Sequence, residues 1–341
     1  LNASWTLYNG NKRLKTIEQE KLNNQMAELD VATSENNIQE SIAQVYIQIL
    51  YAAESVKVNE STLQVSIAQR DRGQELLNAG SIAKSDFAQL EAQVSTDRYQ
   101  LVTAQATLED YKLQLKQLLE LDGENEMNIY LPALSDENVL APLPTKKDVY
   151  ISALSLRPEI EASKLNVEAS ELGIGIAKSS YLPTISLSAG IGTNHTSGSD
   201  FTFGEQVKNG WNNSIGLSVS VPIFNNRQTK SAVQKAKLQY ETSMLSLLDE
   251  QKTLYKTIEG LWLDANSAQQ RYAAANEKLK STQISYELIS EQFNLGMKNT
   301  IELLTEKNNL LQAQQEQLQA KYMAILNTQL LKFYQGDQLA L

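Results

Sequence analysis

The sequence predicts a mainly α-helical protein of long coiled-coil helices, interrupted by short amphipathic β-strands. Three observations carry this. All six prolines lie between Pro132 and Pro222, so residues 1–131 and 223–341 are free of the strongest helix breaker. Gln, Asn, Ala, Leu, Glu and Lys dominate and only 7% of residues are aromatic, the composition of helices packed along narrow seams. Within the proline-containing middle, the stretch YLPTISLSAGIGTN alternates Ile185, Leu187, Ala189 and Ile191 with Ser186, Ser188, Gly190 and Gly192, which is the side-chain alternation of a strand.

The helices come first. Leu247, Leu254, Ile258, Leu261, Ala265, Ala268, Tyr272, Ala275, Leu279, Tyr286, Ile289 and Phe293 recur in steps of 3, 4 or 7, a heptad-like stripe that packs helices nearly parallel with a gentle left-handed twist. The tyrosines Tyr46, Tyr99, Tyr272 and Tyr322 read as parts of such seams. Sliding the chain by 216 residues lays WTLYNGNKR over VPIFNNRQT and LLNAGSIAKSDFAQL over QFNLGMKNTIELLTE, with Gly80 on Gly296 and no gap. An internal repeat follows. The fuller copy, about residues 146–336, reads helix, strand, strand, very long helix, turn, helix. The first copy opens without its leading helix and strand, as if the chain began inside an element. A helix from about Arg227 to Asn294 has roughly 68 residues and spans on the order of 100 Å. Its return, from about Thr300 to Gln335, is shorter, and a helix over Pro158 to Tyr181 is expected to stack end to end with it. Pro158 suits a first helical turn, where its missing N–H costs nothing.

The strands follow. Ile215, Leu217, Val219, Val221 and Ile223 alternate with Ser214, Gly216, Ser218 and Ser220, and the chain opens with Leu1, Ala3, Trp5 and Leu7 against Asn2, Ser4 and Thr6. Strands of about 10 residues with one oily and one small polar face suit a transmembrane β-barrel. Ile185, Leu187, Ala189, Ile191, Ile215, Leu217, Val219 and Val221 are then lipid-facing, the polar stretch 194–213 is an external loop, and Tyr181 and Trp211 sit at the interfaces. A soluble hairpin lying on the helices is the competing reading, but a long helix offers only a stripe to cover it. One chain supplies four strands at most, too few to close a barrel, so other copies must complete it.

Several chemistries are excluded. A formal charge of −10 and a pI of about 4.9, with no basic cluster, argue against nucleic acid. Cysteine is absent, which removes disulfides, thiolate metal sites and cysteine nucleophiles. No run of 18 apolar residues exists, so no transmembrane helix is predicted. His195 is the sole histidine, so no histidine-based triad or zinc site is available. Glu159 and Glu161 follow Pro158 in a first turn, where the helix dipole favours acids. Gly173 and Gly175 mark close approach of a neighbouring helix. No cofactor or metal site is expected.

The segments LRPEIEASKLNVEASELGIGIAKSSYLPTISLSAGIG and SVSVPIFNNRQTKSAVQKAK, with the paired turns NAGSIAKSDF and NLGMKNTIELL, resemble the TolC-type outer-membrane efflux ducts of Gram-negative bacteria across essentially the whole chain. The resemblance implies a homotrimer, each copy giving four strands to a shared twelve-stranded barrel in outer-membrane lipid and helices to a periplasmic tunnel. It implies a passive exit duct of a tripartite efflux or type I secretion system, with a periplasmic adaptor (membrane fusion) protein and an inner-membrane pump as partners, and no enzyme activity. A soluble coiled-coil periplasmic adaptor or scaffold is the alternative. By the same resemblance the turns at Gly80 and Gly296 form the periplasmic tip and gate. Asp86 matches a linking aspartate, Gln69 a linking glutamine, Lys298 a position where the family often has arginine, and Glu302 one of two acids ringing the narrowest point. Phe293 stands for a tyrosine, Thr305 for the second ring acid, and Ser290 for a glutamate, with Glu291 adjacent. Read from the residues alone, Asn299 with Glu302 is a capping box, and Asp86 favours a helix start in the same way. The chain then divides into a strand end (1–8), tunnel helices with a tip turn near 80 (9–120), an irregular equatorial segment (121–157), a tunnel helix (158–182), a strand hairpin (183–224), tunnel helices with a tip turn near 296 (225–336) and a tail (337–341).

Overall fold

A computed structural model describes residues 1–121, 129–130 and 139–339. In chain order it runs β1 (Asn2–Asn9), α1 (Lys12–Asn78), α2 (Lys84–Leu118), α3 (Lys146–Leu156), α4 (Pro158–Ser179), β2 (Thr184–Gly192), α5 (Phe203–Asn209), β3 (Asn212–Ser220), α6 (Gln228–Asn294) and α7 (Thr300–Gln335). Two compact units emerge, one of Leu1–Thr33 with Arg157–Thr253, the other of Ser34–Leu156 with Leu254–Leu341.

The first unit holds an antiparallel sheet in the order β1-β2-β3. Its register stacks like on like. Ala3, Ala189 and Ile215 form one row and Trp5, Leu187 and Leu217 the next; Ser4, Ser188 and Gly216, then Thr6, Ser186 and Ser218, form rows on the opposite face. Three details differ from the sequence expectation. The strands have 8, 9 and 9 residues rather than about 10. A register shift between Thr6 and Tyr8 makes Leu7 the extra residue, and Tyr8 takes the place opposite Ile185. Val221 and Ile223 lie past the end of β3, because Pro222 has no N–H to give a ladder. Where β1 turns into α1, Gly10 has φ +66° and a Cβ there would sit 2.7 Å from the Ser179 carbonyl oxygen, so glycine is required twice over.

Helix packing in this unit uses small residues. Gln19 Nε2 donates to the Ala169 carbonyl at 2.8 Å, the hydroxyls of Ser170 and Ser243 share a hydrogen bond of 2.8 Å, and the Lys15 side chain lies against Gly175. Pro158 occupies the first turn of α4, and Gly173 and Gly175 mark a helix contact, both as the sequence suggests.

In the second unit the heptad stripe of α6 is the packed face: Leu254, Ile258, Ala265, Ala268, Tyr272 and Phe293 are buried. Ile47 and Leu50 of α1 and Ala324, Ile325 and Leu330 of α7 complete the cluster with Ala268 and Tyr272. The segment 121–157, read from sequence as irregular, contains α3, and its residues 122–128 and 131–138 lie outside the described residues. The chain before α3 is strapped to α6. Gln269 Nε2 donates to the carbonyls of Val139 and Ala141 (3.0 and 2.8 Å), Trp262 Nε1 donates to the Pro144 carbonyl (3.0 Å), and Lys146 pairs with Glu259 at 3.0 Å while lying over the Trp262 ring.

The internal repeat is present in the backbone. Both α1 and α6 have 67 residues and begin and end at positions 216 apart. The two strand-to-helix turns match as well, with positive φ at Gly10 and Asn11 and again at Asn226 and Arg227.

Candidate functional site

The two hairpin turns use one construction. After α1, Ser81 N–H donates to the Leu76 carbonyl at 2.8 Å and Gly80 has φ +72°; after α6, Met297 N–H donates to the Gln292 carbonyl at 2.8 Å and Gly296 has φ +75°. This six-to-one bond over a left-handed residue is a Schellman closure. A Cβ on either glycine would meet nothing within 4 Å, so conformation rather than space demands glycine.

Past the turns the copies diverge. At the start of α7, Asn299 Oδ1 accepts from Glu302 N–H (2.9 Å) and Glu302 Oε2 accepts from Asn299 N–H (3.2 Å), the capping box expected from the sequence. The other carboxylate oxygen pairs with Lys298 Nζ at 2.6 Å. The hydrogen bond from Lys298, then the Asn299 amide, hold the Glu302 carboxyl below its usual range. At the start of α2 the cap residue is Ala83, which offers no side-chain acceptor, and the Asp86 carboxylate accepts from Ala83 N–H at 3.4 Å. Gln69 Nε2 donates to the Tyr286 hydroxyl at 2.9 Å, joining α1 to α6, and burial pushes the Tyr286 hydroxyl up. Phe293 is buried. The structure therefore unites Lys298 with Glu302 at the second turn, keeps Asp86 at the first, and places Gln69 higher on α1.

Sequence reasoning missed a buried polar cluster above the turns. Lys307 of α7 donates to Ser66 of α1 and Asp97 of α2, Ser66 donates to Asp97, and Gln93 Nε2 donates to the second Asp97 oxygen at 2.8 Å. Burial pushes the Lys307 amine down, and Asp97 opposes that shift. The signal was in the pattern: Asp97 falls on the seam of Leu90 and Val94, and Lys307 on the seam of Leu303 and Leu310, where buried residues recur in steps of 3 and 4. The short α5 was also missed, although Thr202 and Glu205 spell its capping box.

The remaining candidates are placed without chemistry. His195 sits in the polar stretch between β2 and β3, bonded to Gln206 at 3.1 Å and edge-on to Phe203, and Glu159 and Glu161 face Arg157 and Lys164 in the first turn of α4. Among the described residues no group of three His, Cys, Asp or Glu gathers to hold a metal, and no helix is long and apolar enough to cross a membrane.

The apolar face of the sheet is left uncovered. Trp5 is 55% exposed, Ile215 84%, Leu217 65% and Val219 59%, with Ile191 exposed at the far end of β2, while Ile185, Leu187 and Ala189 in the central strand are half-buried by their neighbours. Tyr181 and Trp211 are exposed just outside the strands. Residues 149–336, more than half of the chain, match the family described as outer membrane efflux protein. The chain belongs to this family. It is 24% identical over 294 residues to the outer membrane efflux protein BepC of Brucella suis, covering 86% of this chain and 61% of that protein, and 24% identical over 294 residues to the outer membrane protein TolC of Escherichia coli, covering 84% and 58%. The chain thus spans about three fifths of the length of these efflux-family relatives. Its fold is that of the channel CusC, with a TM-score of 0.84 at 19% identity over 99% of this chain and 77% of the other.

Proposed function

We propose that the chain is one subunit of a homotrimeric exit duct in the outer membrane, a passive conduit for drugs, small molecules or proteins with no enzymatic step of its own. The carrying observation is the apolar sheet face: rows of Trp5, Leu187 and Leu217 and of Ala3, Ala189 and Ile215 lie open on one side, and serine, threonine and glycine fill the other. In lipid the oily face is satisfied and the polar face lines water. The outer edges of β1 and β3 carry unpaired backbone groups, which a bilayer tolerates only if strands of other copies close the barrel. An inner-membrane pump supplies the energy and a periplasmic adaptor joins it to the duct. A soluble adaptor or scaffold would bury or polarise that face. The test is the full-length chain purified in detergent and reconstituted in a planar bilayer. A detergent-dependent trimer that conducts ions supports the duct; a detergent-free soluble monomer sinks it.

The hairpin turns are the proposed periplasmic gate, with Gln69, Asp86, Lys298 and Glu302 as its polar links and Phe293 as a packing residue. Three copies would bring three Glu302 carboxylates to one axis, a ring that favours cations. The double variant Asp86→Ala with Glu302→Ala should conduct more and lose cation preference. Unchanged conductance and selectivity would remove both residues from the gate.

A further inference from the structure

The buried cluster of Ser66, Asp97 and Lys307 serves no part of the reading above. Its three side chains come from three helices, and each is at most 3% exposed. They lie 12 residues before the end of α1, 13 after the start of α2 and 7 after the start of α7, so on the order of 10 to 20 Å along the helices from the turns.

Two features set the cluster apart from ordinary packing. The first is its chemistry. A fully buried lysine and aspartate are each costly to desolvate, and an apolar trio of similar volume serves a core at least as well, so such a pair is poor evidence of stabilisation. The geometry is demanding: one amine must reach a hydroxyl on one helix and a carboxylate on another, while Gln93 fixes the other carboxylate oxygen. A slide of one turn, about 5.4 Å, would strand both charges in the core. Apolar seams tolerate such a slide because their contacts are non-directional. The second feature is that the repeat does not share it. The positions 216 residues away are Thr282 for Ser66, Ala313 for Asp97 and Glu91 for Lys307; Thr282 bonds its own helix, Ala313 is buried and Glu91 is exposed. The backbone repeat therefore does not require the cluster.

We propose that Ser66, Asp97 and Lys307 form a register lock that fixes the axial position of α7 against the α1–α2 hairpin and so holds the two turns, at Gly80 and Gly296, in one relative position. The lock acts above the gate links and within one chain. Its consequence for a shut gate rests on the duct reading, but the lock itself does not. Lys307, Asp97 and Ser66 are positioning residues that touch no cargo.

The absence of cysteine makes the test clean. Spin labels at Ser81→Cys and Met297→Cys, one on each turn, report the distance between turns within a chain when labelled copies are diluted with unlabelled ones. The wild-type distribution should be narrow. The single variants Lys307→Met and Asp97→Asn should lower the melting temperature by roughly 10 °C, because each strands a charge. The triple variant Ser66→Ala, Asp97→Leu, Lys307→Met should recover the melting temperature and yet show a broadened or shifted distance distribution. A triple variant with the wild-type distribution overturns the lock. Should that variant not refold, the exchange Asp97→Lys with Lys307→Asp decides: a narrow distribution supports the lock and a broad one overturns it. Bilayer conductance of the same variants is a separate readout, so a chain that fails to conduct leaves the distance measurement standing.

Discussion

The hairpin of α1 and α2 and the hairpin of α6 and α7 follow one backbone path and put different side chains along it. The long helices coincide in length and limits, both turns close through a glycine with positive φ, and the second helices start at Lys84 and Thr300, again 216 apart. The first turn carries Ala79, Ser81 and Ser85 where the second carries the exposed Leu295, Met297 and Ile301. Ala83 stands against the capping Asn299, and Glu91 against the buried Lys307. What the chain path demands, a left-handed residue and a hydrogen-bonded exit from the helix, is kept in both copies. What is free of that demand has diverged, and it has diverged at the turns and just above them.

The comparison breaks most visibly at its largest asymmetry. Lys307→Met should destabilise the second unit by about 3–5 kcal/mol, since Asp97 is left charged and buried, whereas Glu91→Met at the repeat-related and exposed site should change stability by less than about 0.5 kcal/mol. Denaturant midpoints of the two variants measure the gap, and equal losses would mean that the cluster is not buried as described. Next come the turns. Gly80→Ala and Gly296→Ala should each cost about 1 kcal/mol from the left-handed backbone alone, and by the same amount, because neither site has a neighbour to clash with. An unequal pair would show that one turn is under a constraint the other lacks. The caps should respond in opposite directions: Asn299→Ala loses about 1 kcal/mol, and Ala83→Asn gains up to about 1 kcal/mol by supplying the acceptor the first copy lacks. Thermal unfolding of the two variants checks the sign.

The same contrast explains what was legible in the sequence. Proline placement, heptad spacing and the offset of 216 located α6 to within one residue and α7 to both ends, because long helices on one seam leave a strong periodic trace. Strand faces were readable from the alternation of isoleucine and leucine with serine, and the register pairs Ile185 with Val219 and Leu187 with Leu217. The bulge at Leu7 was not, since a single extra residue is set by the neighbouring strand and leaves no periodic mark. Asp97 and Lys307 sat on readable seams, but a charged residue on a seam declares its partner only when a third helix is in place. Gln69 and Tyr286 are 217 positions apart, and Asp86 was legible as a helix-start acid while any role between chains needs a second copy.

The smallest and most local difference is electrostatic. Glu302 has its carboxyl held below the ordinary value of 4.5, first by the hydrogen bond from Lys298 and then by the Asn299 amide. A folded value below the unfolded one means that the unfolded chain takes up the proton first on acidification. The contribution of Glu302 is therefore complete above the ordinary carboxylate value and is lost as pH falls through that value and past the depressed one. Glu302→Gln should unfold at lower denaturant than wild type at pH 7, and the two should converge in acid, once pH has fallen past the depressed value. Part of the difference at pH 7 should also fade at high salt, because the Lys298–Glu302 pair is partly exposed and screened. A difference that persists unchanged into acid would mean that the carboxylate charge is not what the second turn uses, and that Glu302 differs from its counterpart Asp86 in shape alone.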